Sequence, residues 1–328
     1  MDKLTQRQSL LMEATKPVFV VGVARSGTSI LYRILQHHAS FRLANCAPGF
    51  DLTESRVFVD PASVYVQTGN AFQFMLCDAR QYQQFREAVK TIPPKLAALY
   101  SRRSIRRLTN RTQWTRVWWW KLCQNHHLMR SFFSAAEQAR GGARLVEKTP
   151  ANLTCLPELK ATFPQAKVIC TCRHPVDVYS SYRRRLLVVQ NAGAVDPKTI
   201  EWLTLSPRQF CNTYRAGLQK ALRAYRVAPD DFLLTRYEDF TREPAHWFRR
   251  ICDFINEPYE AACLQQAAPS LSQWQQDPLL ALPIGANTKL WSDYMSESTA
   301  ILIETALPDI MQAVGYASYT RAHEPRSH

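Results

Sequence analysis

Residues 17–35, PVFVVGVARSGTSILYRIL, leave the chain few ways to fold. The apolar, β-branched run 18–23 reads as a buried strand. Gly22 and Gly27 bound a tight turn, after which Ile30, Leu31, Ile34 and Leu35 recur at helical spacing. A strand that turns through glycines into a helix aims backbone N–H groups, and the positive end of the helix dipole, at one small space. A phosphate suits that space. The spacing is close to a nucleotide-binding P-loop: Gly22, four residues, Gly27, then Thr28 and Ser29. A nucleotide triphosphatase requires lysine at position 28 to reach the β- and γ-phosphates. Here the cation sits earlier, at Arg25, so the loop suits phosphate but not ordinary ATP or GTP hydrolysis.

Three more runs read as core strands, at 144–147, 167–172 and 232–235, with helical patterns between them. This order predicts an α/β fold, P-loop-like and three-layered, around a central, mostly parallel sheet. One helix is expected after Pro175, where VDVYSSYRRRLLVV runs from acidic to basic as the dipole prefers. Another is expected over 243–256, and a third over 297–314. Residues 80–140 differ, being rich in arginine, glutamine and aromatics. They read as two or three helices of a cap inserted over the sheet edge. Its aromatics (Trp114, Trp118, Trp119, Trp120, Phe132 and Phe133) either line an acceptor site or pack the cap against the core. With no repeat and no Gly/Ser linker, residues 1–328 read as one domain carrying this insertion. Residues after Tyr319 read as a solvated tail.

Lys and Arg outnumber Asp and Glu by 41 to 27, a formal charge of +14, so anions are the natural ligands. No zinc-finger, RNP or helix-turn-helix signature accompanies that charge, and no nucleic-acid partner is expected. The nine cysteines contain no Cys-x-x-Cys pair and read as buried free thiols of a reducing compartment. Cys170 and Cys172, on one expected strand, are taken to face opposite sides. The N-terminus lacks a signal-peptide core, and no run approaches the ~20 apolar residues of a membrane span. A cytoplasmic location is expected. The pairs His37-His38 and His126-His127 lack metal-ligand spacing and are assigned surface or capping roles. No metal site is expected.

Three further stretches carry chemistry. In AKVICTCRHPVDVYSSY, residues 166–182, a strand ends at Arg173 and a helix begins near Pro175. Arg173 and Ser181 are placed to converge on an anion at the carboxyl edge of the sheet, where open α/β sheets bind ligands. Ser180 points about 100° away around the helix. In LVEKTPANL, residues 145–153, Lys148 lies at a strand's carboxyl end and reaches toward the same crevice, or is simply solvated. In FLLTRYEDFTREPAHWFRRICDFI, residues 232–255, a strand meets a helix through Arg236, Tyr237, Glu238 and Asp239. That joint serves the fold, or closes one side of a nucleotide pocket.

RSGTS and RHPVDVYSS, strengthened by EKTP and RYEDF, occur in the order and rough spacing of the sulfotransferase superfamily. Over about residues 17–316 the chain resembles the group whose phosphosulfate loop reads Arg-Ser-Gly-Thr-Thr or Arg-Ser-Gly-Thr-Ser. The resemblance implies 3′-phosphoadenosine 5′-phosphosulfate as cofactor, and in-line sulfonate transfer to a hydroxyl or amine of a small-molecule or conjugate acceptor. By position it implies that Arg25, Ser26, Gly27, Thr28 and Ser29 hold the 5′-phosphosulfate and that Arg173 and Ser181 hold the 3′-phosphate. Tyr237 joins the cofactor site. Arg25 and Lys148 face the transferring sulfonate, and Glu54, in DLTESRVF, is the base. The catalytic histidine of the cytosolic group is absent, since Pro150 stands in its place. Two alternatives stay open: a P-loop kinase of small molecules, lacking its lysine, and a non-catalytic binder of nucleotides or polyanions.

Overall fold

The computed structural model describes residues 16–41, 52–53, 55–59, 125–139, 143–191, 193, 200–265, 284–285 and 290–320. Within them lies one five-stranded sheet. Its strands are β1 (Val18–Gly22), β2 (Leu52–Thr53), β3 (Val146–Lys148), β4 (Lys167–Cys172) and β5 (Phe232–Arg236), in the order β2-β3-β1-β4-β5. Every pairing is parallel, and Val18 faces Val146 on one side and Lys167 on the other. The helices are α1 (Thr28–His37), α2 (Asn125–Ala139), α3 (Leu156–Thr162), α4 (Pro175–Asn191), α5 (Pro207–Val227), α6 (Tyr237–Arg242), α7 (Pro244–Ile255), α8 (Glu297–Ala306) and α9 (Pro308–Val314).

Alternation along β1 creates the layers. Phe19 and Val21 enter one core with residues of α3, α4, α5, α8 and α9, whereas Val18 and Val20 enter the other with α1 and α7. β1, buried at every position, is apolar throughout, and β4 is apolar apart from Lys167 and Thr171, which is why these runs stand out in the sequence. The expected α/β three-layer architecture is thus the observed one. β1 sits centrally, between β3 and β4, so the loops leaving their carboxyl ends share one edge.

Several boundaries differ from expectation. The stretch 297–314 is two helices, because Pro308 disfavours helical backbone at Leu307, which adopts φ −128° and ψ 29°. The longest described helix, α5, was not anticipated, although Ser206-Pro207-Arg208-Gln209 forms a full capping box at its start. Cys170 and Cys172 do not face opposite sides: residues two apart on a strand share a face, and both belong to the same core cluster. The six described cysteines are free and buried, as expected.

Of the expected cap, residues 80–124 lie outside the described residues, and with them its tryptophans. The described remainder, α2, is a core helix. Phe132 and Phe133 are fully buried, and Phe133 packs against Phe163 and Phe19 at 4.8 and 5.6 Å. His37 and His38 are buried rather than surface residues; His38 Nε2 meets the carbonyl of Pro258 at 2.8 Å. Among the described residues no helix is long and apolar enough to cross a membrane, and no His/Cys/Asp/Glu group could hold a metal ion.

Candidate functional site

The loop between β1 and α1 is shaped by two glycines. A Cβ on Gly22 would stand 2.4 Å from the Thr171 carbonyl oxygen, so only glycine lets the ends of β1 and β4 come this close. Gly27 adopts φ 94°, and a Cβ there would meet Tyr237 Cδ2 at 2.6 Å. Arg25 is itself left-handed, at φ 70°. Gly27 is the N-cap of α1 and supplies no capping side chain to the helix's first N–H groups. Ser26 is wholly buried, and its Oγ has no hydrogen-bond partner. An orphaned hydroxyl beside an uncapped helix start is a cradle for an acceptor-rich group.

The second loop, after β4, meets the first directly. Arg25 Nε donates to Ser181 Oγ at 3.1 Å, joining the glycine loop to α4. Ser181 therefore contacts the first loop's arginine. Arg173 lies over the ring of Tyr237, with its guanidinium carbon 4.5 Å from the centroid. Its Nε is buried without a hydrogen-bond partner, and its Nη2 stands 3.8 Å from Asp177 Oδ2. Tyr237 thus fills the space between Gly27 and Arg173, a wedge between the two loops.

Lys148 ends β3 in register with Val20 of β1 and Thr53 of β2, and is buried. Its neighbour Glu147 points to the other face and was not singled out as a site residue. Glu147 is wholly buried and accepts from Ser55 Oγ at 2.7 Å, Thr149 Oγ1 at 2.5 Å and Asn152 Nδ2 at 2.8 Å. This hub ties the chain after β2 to the chain after β3. Glu54 lies outside the described residues, between Thr53 of β2 and Ser55 in the sequence.

A second carboxylate organises the Arg173 loop. Glu238 accepts from the His174 backbone N–H at 2.8 Å and from Tyr316 Oη at 3.1 Å. Burial pushes its carboxyl above the ordinary value, against the pull of these hydrogen bonds and of Arg173. His174 is held below the ordinary histidine value, also by burial. The carbonyl of Arg173 accepts from Tyr214 Oη at 2.6 Å. Asp239 pairs with Arg236 at 2.5 Å. RYEDF and RHP carry these residues in the sequence, but their partners arrive from α5 and from residues 316–319. No local pattern signals that.

The model of the sulfotransferase family matches residues 17–261. Among solved structures, the sulfotransferase STF9 of Mycobacterium avium aligns with 96% of this chain and 81% of its own, at 14% identity and TM-score 0.54. The sulfotransferase domain of the Synechococcus PCC 7002 olefin synthase aligns with 95% of this chain and 98% of its own, at 18% identity and TM-score 0.49. The likeness to STF9 bears on the fold. No curated protein sequence matches the chain.

Proposed function

The chain belongs to the sulfotransferase family, and from that premise we propose that 3′-phosphoadenosine 5′-phosphosulfate is its donor and a hydroxyl or amine of a small molecule or conjugate its acceptor. One observation carries the reading: Arg25 and Ser181 hydrogen-bond across 156 positions, so two cationic loops share one sheet edge. A nucleotide with anionic groups on both its 5′ and 3′ sides needs such a paired site.

The residues fit that group on structural grounds. Ser26 Oγ and Arg173 Nε are buried donors with no hydrogen-bond partner, one in each loop. In this reading Arg25, Ser26, Gly27, Thr28 and Ser29 hold the 5′ side through side chains and the N-terminal amides of α1. Arg173 and Ser181 hold the 3′-phosphate, and Tyr237, packed between Gly27 and Arg173, lines the cofactor site. When bound, the donor supplies the sulfonate and its phosphate leaving group. Arg25 and Lys148 stabilise the negative charge that develops there. Glu54 takes the acceptor's proton, a role that typically contributes about 10²–10⁴-fold. The whole chain acts as one domain, in a reducing, cytoplasmic setting that six buried free thiols support.

The test is thermal unfolding with 3′,5′-bisphosphoadenosine, and separately with ATP and Mg²⁺, at matched ionic strength. A ligand at 100 times its Kd adds about 2.7 kcal/mol. Selective stabilisation by the bisphosphate is expected. Stabilisation by ATP with Mg²⁺ alone would revive the kinase alternative, and a shift with neither would remove the nucleotide reading.

A further inference from the structure

We propose that residues 315–320 are a positioning element for Arg173 and that Tyr319 is its working side chain. This inference rests on Arg173 binding the 3′-phosphate. The family match ends at residue 261, so it does not extend to this segment.

Tyr319 touches the Arg173 loop twice. Its ring stacks on His174, the next residue, with centroids 3.7 Å apart and planes 17° from parallel. Its hydroxyl donates to Asp177 Oδ2 at 3.3 Å. That same oxygen stands 3.8 Å from Arg173 Nη2. One tyrosine therefore fixes both the neighbour of Arg173 and its counter-charge. A guanidinium as buried as this one has few rotamers open, and the position of Asp177 selects among them.

The segment that carries Tyr319 is itself anchored. Glu304 of α8 accepts from the Tyr319 backbone N–H at 2.7 Å and from Ser318 Oγ and Thr320 Oγ1, each at 2.5 Å. Tyr316 Oη reaches Glu238, whose other oxygen accepts the His174 N–H. The Ala317 carbonyl lies 3.0 Å from His174 Nε2; a carbonyl only accepts, so that nitrogen carries the proton. These bonds run from α8 through the segment to the end of β4. Nothing in them touches the glycine loop, so the element acts on the 3′ side alone.

Equilibrium binding of 3′,5′-bisphosphoadenosine and of 5′-AMP to the full-length chain tests this, with Tyr319→Ala, Tyr319→Phe and Arg173→Ala. Arg173→Ala should abolish the preference for the bisphosphate. Tyr319→Ala should weaken the bisphosphate about 3- to 10-fold, the worth of one aromatic stack, and leave 5′-AMP unchanged. Tyr319→Phe keeps the stack and loses only the bond to Asp177, so its loss should be smaller, about 2- to 5-fold, and again confined to the bisphosphate. In turnover the donor KM should rise in both Tyr319 variants with kcat unchanged. Equal losses on both nucleotides, or none, in the Tyr319 variants overturn the proposal while Arg173→Ala still shows its effect. If Tyr319→Ala does not fold, Tyr319→Phe decides by the same criterion. If Arg173→Ala keeps the preference, the 3′ assignment of Arg173 fails, and this inference fails with it.

Discussion

Arg25 Nε and Ser181 Oγ lie 3.1 Å apart although 156 positions separate them. The bond ties the arginine of the first loop to the second turn of α4. Tyr182, the next residue, senses the same cation: burial pushes its phenol up to about 12, with Arg25 opposing. Removing the hydroxyl breaks this bond without altering charge. Ser181→Ala should weaken 3′,5′-bisphosphoadenosine about tenfold, the worth of one hydrogen bond to a charged group. Calorimetric titration gives the number; unchanged affinity would sink the proposed coupling.

Gly27, like Gly22, leaves no room for a side chain. Gly27→Ala places a methyl 2.6 Å from Tyr237 Cδ2 and holds an L-residue at φ 94°. The backbone strain alone costs about 1–2 kcal/mol. Nucleotide binding should be lost. Tyr237→Ala in the same chain relieves the clash but not the strain, so the double variant should recover stability only in part. Urea denaturation of the parent, the single and the double variant measures both contributions.

Glu147 predicts a graded series. Glu147→Leu leaves the Ser55, Thr149 and Asn152 donors unsatisfied in a dry site, at about 1–3 kcal/mol for each orphaned group. Glu147→Gln should cost much less. Asn152 Oδ1 has no partner now, and a flipped Asn152 amide can accept from the new Gln N–H. Equal destabilisation of the two variants in urea would show that the carboxylate's charge, not its hydrogen bonding, is what the hub needs.

The pH dependence of stability follows from His174 and Glu304. His174 is depressed by burial below its ordinary value of 6.5, so the unfolded chain takes up the proton first as pH falls. Its contribution is present above that value and is lost below it. Burial pushes Glu304 up, but the donors Ser318, Thr320 and Tyr319 N–H outweigh it and hold the carboxyl below 4.5. That contribution persists to lower pH and fades as pH falls through the folded value. Glu238, raised by burial, acts with the opposite sign, giving stability on the acid side that is lost as pH rises through its folded value. The urea midpoint should therefore drop between about pH 7.5 and 5.5, and His174→Phe should flatten that drop. An unaltered slope in the variant would remove His174 as its source.

The apolar runs of β1, β4 and β5, the glycine turn and the start of α1 were legible because their causes are local. A strand covered on both faces is mostly apolar, and a phosphate-sized turn must have glycine where a Cβ would collide. Charge and motif spacing pointed to an anionic donor for the same reason. The capping box that starts α5 and the Pro308 that breaks the helix at Leu307 are local signals too, both present in the sequence. Residue types and spacing by themselves settled the layer architecture and placed in order the two loops proposed to bind anions. Only the tertiary structure decided that Arg25 meets Ser181, that Tyr237 wedges between Gly27 and Arg173, that Glu147 is a buried hub, and that Tyr319 reaches back to His174 and Asp177. Those contacts join segments as far apart in sequence as Gly27 and Tyr237. No propensity or period encodes them, because they exist only once the sheet has brought the strand ends to one edge.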